Sequence, residues 1–372
     1  MTQIDTEWAP RVVAWQVTHG RNHLPWQNTR DPYRVWLSEI MLQQTQVVTV
    51  LDYYARFLDR FPDVSALAAA SQDEVLGLWS GLGYYSRARN LHRCAQQVVA
   101  VHSGVFPKTT EQLQTLPGIG PSTAAAVASL CFGERAAILD GNVKRVLTRV
   151  LGFEHDLAVP ANERALLSRA VQLLPVSDFY QSMARYTQGV MDLGATVCTP
   201  RQPFCERCPV QDLCVARKQG EPERYPVKTK KLKRTALSLW LLHAQDAEAG
   251  VWLLQRPIPG VWAGLYCLPL FQSRDALQAA VPPAWRDRLI DQPAFVHVLT
   301  HKDLYLHVVR LEVPFGQVLP LPLPGALIAK NDWPAMGLPA PVRKLLELWL
   351  DQPGLDHRPG PKKFKNLRNS PK

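Results

Sequence analysis

The tightest constraint on the fold is a group of four cysteines that lie within 17 residues. They are spaced C-x6-C-x2-C-x5-C and comprise Cys198, Cys205, Cys208 and Cys214. Four thiolates this close in sequence can surround one soft metal centre. Prolines at 200, 203 and 209 prevent a continuous helix, because proline lacks the backbone N–H and clashes with the preceding turn. We therefore predict a compact loop folded around a metal.

The spacing favours an iron–sulfur cluster and leaves two alternatives open. Structural zinc sites usually use two C-x2-C pairs separated by a long gap, whereas this segment has one such pair with a single cysteine on either side. A zinc site, or no metal, remains an alternative. Disulfides are not expected, because Met1–Glu7 has neither the basic nor the apolar region of a secretory signal.

Length and charge indicate a basic, globular protein with a length typical of about two domains. The 372 residues include 42 Lys and Arg against 32 Asp and Glu, which gives a net charge of +10. A hydrophobic content of 47% excludes a mainly disordered chain, and no apolar run approaches the roughly 18 residues of a membrane span. The positive excess favours a polyanionic partner such as nucleic acid, although many proteins of other function are also basic. A cytoplasmic location is expected.

Hydrophobic periodicity divides the chain into a helical part and a strand-rich part. From about residue 8 to 195, apolar residues recur at spacings of three and four, which predicts helices. A polar break at 43–46 predicts either two helices joined by an exposed turn or a polar patch in one long helix. Later patterns predict a basic linker at 226–234, strands near 236–242, 250–254 and 304–309, a closing helix at 341–350 and a basic disordered tail at 351–372.

A glycine-rich turn joins two predicted helices at residues 116–123. Gly118 and Gly120 permit tight backbone geometry and close approach by another molecule, and Pro121 suits the first turn of the following helix. Exposed N–H groups at such a turn can bind a phosphate without reading base sequence. The alternative is an ordinary glycine C-cap followed by a helix start.

Two carboxyl residues are candidates for acid–base chemistry. Glu39 lies between Leu37 and Ile40 in an aromatic-rich run, where burial would raise its pKa and suit a proton donor. Asp140 begins a predicted helix, with Lys144 one turn further on. Each carboxyl also has a purely structural alternative, as an exposed helical glutamate and as a helix N-cap, respectively.

These motifs occur together in an order that resembles one family. They are Leu24-Pro25-Trp26, SEIMLQQTQV at 38–47, GLGYYSRARN at 81–90, LPGIGPSTA at 116–124, LDGNVKRVL at 139–147 and MDLGATVCTP at 191–200. Over roughly residues 8 to 350 the chain resembles the MutY-type adenine DNA glycosylases of the helix-hairpin-helix superfamily. The resemblance implies a multi-domain fold: an all-α glycosylase domain at 1–225 with an iron–sulfur loop at 198–214, then an α/β Nudix-like domain at 235–350.

The resemblance also implies a base-excision-repair hydrolase acting on duplex DNA. It would flip out adenine mispaired with 8-oxoguanine or guanine and cleave its N-glycosidic bond. Glu39 would protonate adenine at N7, Asp140 would stabilise the oxocarbenium-like sugar, and Asn142 would help to hold that sugar, in keeping with the carboxyl pairs of glycoside hydrolysis. The expected enzyme is a monomer associated with nucleoid DNA, with no membrane contact.

Further residues acquire roles through the same resemblance. The four cysteines would hold a [4Fe–4S] cluster, and Trp26 and Leu42 would line the adenine pocket. Ser122 occupies the position where relatives that excise oxidised pyrimidines carry a Schiff-base lysine, which implies a monofunctional glycosylase with at most weak trapping by Lys144. The residues implied in DNA contact are Gln44, Thr45, Leu82, Tyr84, Gly118, Gly120, Ser122 and Lys144.

The C-terminal part resembles a Nudix domain that lacks its catalytic helix. After Gly264 the chain reads LYCLPLFQSRDALQAA, without the carboxylate run that holds Mg²⁺, so pyrophosphate hydrolysis is not expected. The resemblance implies that Thr300 and His301 recognise 8-oxoguanine, while Leu299 takes the place of a family phenylalanine.

Two rival functions stay open. One is a glycosylase for oxidised pyrimidines, and the other is a non-catalytic DNA-binding iron–sulfur protein. The second is disfavoured because carboxylates near a phosphate backbone reduce affinity unless they take part in chemistry.

Overall fold

The computed structural model describes residues 2–229, 234–246, 248–313 and 323–350. Two compact units are formed, a helical unit (Met1–Ala69 and Asn90–Lys231) and a sheet unit (Ala70–Arg89 and Leu232–Lys372). The predicted tail at 351–372 and part of the predicted basic linker, residues 230–233, lie outside the described residues. In the described part of the chain, no helix is long and apolar enough to cross a membrane.

The helical prediction for the first part of the chain is confirmed. Besides a helix that lies wholly within the segment 70–89, its helices are α1 (Gln3–His19), α2 (Pro32–Leu42), α3 (Val47–Arg60), α4 (Val64–Ala69), α6 (Ser86–His102), α7 (Thr110–Leu113), α8 (Pro121–Phe132), α9 (Gly141–Leu151), α10 (Pro160–Gln172), α11 (Phe179–Thr196) and α12 (Val215–Lys218). The polar break at 43–46 is a turn between α2 and α3, as the two-helix alternative predicted, because Gln44 adopts a left-handed backbone at φ +57°.

Helix α11 is central to the helical unit because two glycines let its neighbours approach closely. A Cβ atom at Gly189 would lie 2.9 Å from the Val12 side chain on α1, and one at Gly194 would lie 2.8 Å from the Asn142 side chain on α9. These contacts hold α1 and α9 against α11. Buried side chains from the three helices, including Trp8, Val146 and Leu193, form part of the unit's core.

The sheet unit contains a mixed sheet with a helix on each face. Its central pair, β1 (Thr235–Gln245) and β7 (Lys302–Glu312), is parallel, and the other pairings are antiparallel. The remaining elements are β2 (Val251–Gln255), β3 (Tyr266–Cys267), β4 (Leu270–Phe271), β5 (Leu289–Asp291), β6 (Phe295–Val298), β8 (Ala326–Ile328), α13 (Arg274–Ala280) and α14 (Ala340–Leu350). Strands at the predicted positions and the closing helix are therefore confirmed.

Alternation along the central strands separates two cores. Leu239 and Leu241 of β1 face a core shared with α14, whereas Leu242 and Ala244 face a second core shared with α13. The switch follows from the two-residue period of a strand, which sends successive side chains to opposite faces. Both faces of the sheet are thereby covered.

Residues 70–89 pack with the sheet unit, although the sequence places them in the helical domain. Helix α5 (Gln72–Leu78) brings Gly77 against the Ala335 backbone, where a Cβ atom would lie only 2.0 Å from the carbonyl oxygen. Tyr85 donates its hydroxyl to the Leu338 carbonyl oxygen at 2.8 Å. Such long-range contacts leave no local signature in the sequence.

Candidate active site

Glu39 lies on α2 with a pKa suited to a proton donor. Its side chain is partly buried and flanked by the buried Leu37 and Ile40. Burial is the largest cause that raises its pKa to about 7, and the nearby charge of Asp140 adds to the effect. Both causes disfavour the ionised form. The alternative of an exposed helical glutamate is therefore excluded.

Asp140 is both a helix cap and a partner of Glu39. Its carboxylate accepts a hydrogen bond from the Val143 N–H at 2.7 Å, as the N-cap of α9. Burial raises the pKa of Asp140, while the N–H groups of Val143 and Asn142 oppose that rise by bonding the charged form. Asp140 can therefore serve as the N-cap of α9 and as a charged group near Glu39 at the same time.

Asn142 is held in place in the first turn of the same helix. Its Oδ1 accepts a hydrogen bond from Nη2 of Arg145 at 2.8 Å, and the same nitrogen donates to the Gly194 carbonyl oxygen at 2.6 Å. Because Gly194 also lies close to the Asn142 Cβ, α11 determines where this amide sits.

Ser122 ties the glycine hairpin to the segment that carries Asp140. Its hydroxyl accepts a hydrogen bond from the Leu139 N–H at 3.2 Å. Gly118 has φ +77°, and a Cβ there would lie 2.6 Å from the Asn90 Cβ, so the hairpin itself requires glycine. A Cβ at Gly120 would meet no atom within 4 Å, which leaves this side of the turn open.

The other residues assigned to DNA contact differ in accessibility. Gln44 is exposed, and Tyr84 is 43% exposed with a left-handed backbone at φ +50°. Thr45 is half-buried, and its hydroxyl donates to the Gln43 carbonyl oxygen at 3.4 Å. Leu82 is only 6% exposed, so its side chain is not presented to a ligand. Lys144 forms an ion pair with Glu163.

A polar cavity opens beside Trp26. Trp26 is buried and packs edge-on against Tyr54, with ring centroids 5.3 Å apart. Val35 also lines the cavity and lies one helical turn before Glu39 on α2. Amide and guanidinium side chains form much of the rest of the lining, from Gln16, Asn22, Gln27, Arg30, Arg185 and Gln188. Leu42, the second predicted pocket residue, lies instead at the end of α2 and outside this lining.

A buried carboxylate accepts hydrogen bonds from two residues that line this cavity, Gln27 and Gln188. Asp192, fully buried, accepts hydrogen bonds from the Arg21 side chain at 2.7 Å and from the Gln188 amide at 3.0 Å. Gln27 also donates to Asp192 at 3.3 Å, and the buried Gln27 Oε1 has no hydrogen-bond partner within the described ranges. A buried acceptor without a partner is costly, so this oxygen is available to a donor that enters the cavity.

The four cysteines line one small cavity in the loop after α11. Arg149 of α9 donates to the Cys198 sulfur at 3.3 Å and to the Thr199 and Pro200 carbonyl oxygens at 2.6 and 3.0 Å. Among the described residues, no three His, Cys, Asp or Glu side chains converge as ligands of one metal ion. Thiols around one pocket with a guanidinium beside them suit an anionic iron–sulfur cluster.

Thr300 and His301 lie on the turn between β6 and β7, and both are exposed. The Thr300 hydroxyl shares a hydrogen bond with the Tyr84 hydroxyl. Leu299 packs against a core of the sheet unit. The structure therefore presents Thr300 and His301 outward and turns Leu299 inward.

Sequence reasoning missed the buried polar groups of the site. Gln27, Gln188, Asp192 and Arg149 all lie within or beside the quoted motifs, but no periodicity distinguishes a buried polar residue from an exposed one. The one available signal was Asp192, an acidic residue in an otherwise apolar helical stretch.

Known families match three parts of the chain. Residues 37–171 match the family described as HhH-GPD superfamily base excision DNA repair protein, and residues 239–348 match the NUDIX domain. Residues 198–214 match the iron–sulfur binding domain of endonuclease III. Together with the four thiols of that loop, this match shows that the cofactor is a [4Fe–4S] cluster rather than zinc.

Curated relatives and a solved structure match beyond these segments. The adenine DNA glycosylase of Buchnera aphidicola (subspecies Acyrthosiphon pisum) is 33% identical over 344 residues, which cover 90% of this chain and 95% of that protein. The Mus musculus adenine DNA glycosylase is 44% identical over 220 residues, covering 57% of this chain and 42% of that protein. A thermostable thymine-DNA glycosylase structure has a TM-score of 0.51 at 28% identity, over 58% of this chain and 98% of that one.

The likeness to the first relative extends over nearly the full length of both proteins, and the helical, iron–sulfur and Nudix parts occur here in one chain. This chain therefore belongs to the adenine DNA glycosylases, hydrolases that cleave N-glycosyl bonds in base excision repair of DNA.

Proposed function

We propose that the enzyme removes adenine mispaired with 8-oxoguanine, or with guanine, from duplex DNA. The observation that carries the proposal is a pair of carboxyl groups in different surroundings. Burial raises the pKa of Glu39 to about 7, whereas the rise that burial causes in the pKa of Asp140 is opposed by the N–H groups at the start of α9. Hydrolysis of a glycosidic bond needs one carboxyl that keeps its proton at neutral pH and one that stays charged.

In the proposed reaction Glu39 transfers its proton to N7 of adenine. The bond between C1′ and N9 then breaks, and its electron pair goes to the base. Asp140 stabilises the positive charge left on the sugar, while Asn142 holds that sugar. Water adds to C1′ and returns a proton to Glu39, so the products are free adenine and an abasic site. Ser122 supplies no amine, which supports a monofunctional enzyme without strand cleavage.

The extruded adenine is proposed to enter the cavity beside Trp26. Adenine carries an amino donor at N6 and acceptor nitrogens in its ring, and the amides of Gln27 and Gln188 offer acceptors and donors to match. The buried, unpartnered Gln27 Oε1 suits the N6 amino group. Trp26 provides an apolar wall, whereas Leu42 lies outside the lining of this cavity.

Binding of the duplex is proposed to use the hairpin and the exposed turns. The open side of Gly120, with Gly118 and Ser122, would receive a backbone phosphate at the start of α8. Lys144 would add a basic contact after its pairing with Glu163 is exchanged for a phosphate. Gln44 and Thr45 of the helical unit and Tyr84 of the sheet unit are each proposed to contact DNA, whereas the buried Leu82 is not.

The opposite base is proposed to be read by Thr300 and His301. In 8-oxoguanine, N7 carries a hydrogen that guanine lacks, and a hydroxyl or imidazole can accept it. Both side chains are exposed on their turn, which supports this role.

The ligands of the iron–sulfur cluster are proposed to be Cys198, Cys205, Cys208 and Cys214. We further propose that the enzyme is a monomer, located in the cytoplasm and associated with nucleoid DNA.

The proposal is tested by product analysis on a panel of duplexes. The panel carries A opposite 8-oxoguanine, A opposite G, T opposite G, and thymine glycol opposite A. We expect free adenine from the first two substrates, faster from the first, and intact strands until the abasic site is cleaved chemically. Release of thymine or thymine glycol would overturn the choice of base. Binding of all duplexes with no base released, by protein with an intact cluster, would overturn catalysis.

A further inference from the structure

Arg234 binds the turn that carries Thr300 and His301. It is the last residue of the predicted basic linker at 226–234, and it lies in the sheet unit. Its Nη1 donates to the Thr300 carbonyl oxygen at 3.1 Å, and its Nη2 donates to the Leu299 carbonyl oxygen at 2.8 Å. The same guanidinium forms an ion pair with Asp303.

The next residue continues the same arrangement. The Thr235 N–H donates to the His301 carbonyl oxygen at 3.1 Å. Three successive carbonyl groups of the turn are thus bound by two successive residues at the start of β1. Within the turn, the Leu299 N–H donates to the Lys302 carbonyl oxygen at 2.8 Å. The backbone of residues 299–302, here called the reading turn, is thereby fixed on its β1 side, while the side chains of Thr300 and His301 stay exposed.

We propose that Arg234 is a positioning residue for recognition of the base opposite adenine. By fixing the carbonyl groups of the reading turn, it sets where the Thr300 hydroxyl and the His301 ring meet that base. The inference rests on the proposed role of the reading turn in recognising 8-oxoguanine. It goes further by assigning the end of a basic linker to base discrimination rather than to phosphate binding.

Arginine suits this position in a way that lysine does not. A guanidinium presents five N–H donors in a fixed plane and can hold two carbonyl groups and a carboxylate together. An ammonium has a single nitrogen and cannot span the same acceptors. Asp303 also compensates the charge of Arg234, so this residue contributes little to the attraction of phosphates.

The test measures discrimination by the full-length holoenzyme. Binding constants are compared for two duplexes, in which a non-cleavable adenosine analogue lies opposite 8-oxoguanine or opposite guanine. For Arg234→Gln we expect the preference for 8-oxoguanine to fall roughly tenfold, the effect of losing one charge-assisted hydrogen bond from the recognition energy. Arg234→Lys should lose nearly as much. The rate of adenine release from A opposite G, at saturating enzyme, should stay at the wild-type value.

Arg274→Gln is the matched control, because Arg274 makes a two-pronged ion pair with Asp291 in the same unit and does not touch the reading turn. It should keep the wild-type preference. Wild-type preference in Arg234→Gln, or an equal loss of affinity for both duplexes, would overturn the inference. Failure of the proposed function would look different, since wild-type protein would then bind the two duplexes equally and Thr300→Ala would change neither constant.

Discussion

The buried carboxyl group of Glu39 destabilises the folded protein when it is ionised, and its raised pKa suits it to donate a proton. A carboxyl group whose pKa rises from 4.5 to about 7 on folding resists ionisation in the folded protein. At 1.36 kcal/mol per pKa unit, its charge at alkaline pH costs the fold roughly 3 kcal/mol. Active sites commonly carry such costs, because the property that destabilises the residue is the one the chemistry uses.

Replacement of this acid should therefore stabilise the protein in a pH-dependent way. Below pH 4.5 the carboxyl is protonated in both the folded and the unfolded state, so Glu39→Gln should match the wild type. As pH rises from 4.5 to about 7, only the unfolded state ionises, and the wild type loses stability that the variant keeps. Above pH 7 the difference should level off at roughly 2–3 kcal/mol.

Thermal unfolding at pH 4.5, 6 and 8 would check this expectation. Glu347→Gln, at an exposed position of α14, serves as the control and should show no such trend. A difference between Glu39→Gln and wild type that shrinks as pH rises would contradict the account of Glu39.

Single-residue chemistry could be predicted only in part. The run around Glu39 and the helix start at Asp140 indicated both carboxyls, because local sequence determines helix position. Gln27, Gln188 and Arg149 were missed because their burial depends on distant helices. The sequence offered two roles for Asp140, as a helix N-cap or as an active-site carboxylate. In the structure it can fill both, because one carboxylate oxygen accepts the Val143 N–H while the charge of the group acts on Glu39.

At the scale of elements, α9 joins the catalytic carboxylate to the cysteine loop. Its N-cap is Asp140, and the buried Arg149 near its other end binds the backbone after α11. Arg145 also donates to the Cys198 carbonyl oxygen at 2.8 Å and holds Asn142. One rigid helix therefore connects the cluster loop to two of the proposed catalytic residues.

Arg149→Met should weaken the cysteine loop before it unfolds the helical unit. The methionine fills the volume but leaves the carbonyl groups of Thr199, Pro200 and Tyr225 without the donor. For the buried carbonyl of Tyr225 this costs roughly 1–3 kcal/mol. We expect a lower iron content per chain, a weaker visible absorbance of the cluster and a lower melting temperature.

Arg135→Met is the comparison for that experiment. Arg135 also binds backbone carbonyl groups, at Pro175 and Val171, but away from the cluster. It should lower the melting temperature modestly and leave iron content unchanged. Full iron content in Arg149→Met would show that α9 does not support the loop.

The turn between α2 and α3 could be predicted from the pattern of apolar and polar residues alone. Its polar residues interrupt an apolar stripe, so the break was visible without tertiary information. The reading turn could be predicted only from the family resemblance. Its conformation depends on Arg234 and Thr235, which are distant from it in the sequence.

At the scale of the whole molecule, each compact unit is built from two segments that are separate in the sequence. Residues 70–89 lie between helices of the helical unit in sequence but pack with the sheet unit. Composition and periodicity predicted both fold types, since each follows from local pattern. They placed this segment in the helical domain, because a helical pattern does not reveal which core a helix joins.

A protein that ends at residue 231 should lose order in that segment. Leu76, Ser80 and Tyr85 would lose the partners that residues 337 and 338 provide. Amide hydrogen exchange of residues 72–85 should accelerate by at least a hundredfold, the effect of losing roughly 3 kcal/mol of local stability. Helix α8, within the helical unit, should keep its protection. Unchanged protection of 72–85 would contradict the assignment of this segment.

The most direct test of the account is single-turnover release of adenine from A opposite 8-oxoguanine. Wild type, Glu39→Gln and Asp140→Asn are compared, with binding of the duplex measured in parallel. Glu39→Gln cannot supply the proton, so we expect adenine release to fall by at least a hundredfold, in line with loss of a general acid. Asp140→Asn should fall by a similar factor, because charge stabilisation is lost. Both variants should bind the duplex within a few-fold of wild type. Release by Glu39→Gln at the wild-type rate would contradict the central claim that this buried carboxyl is the proton donor.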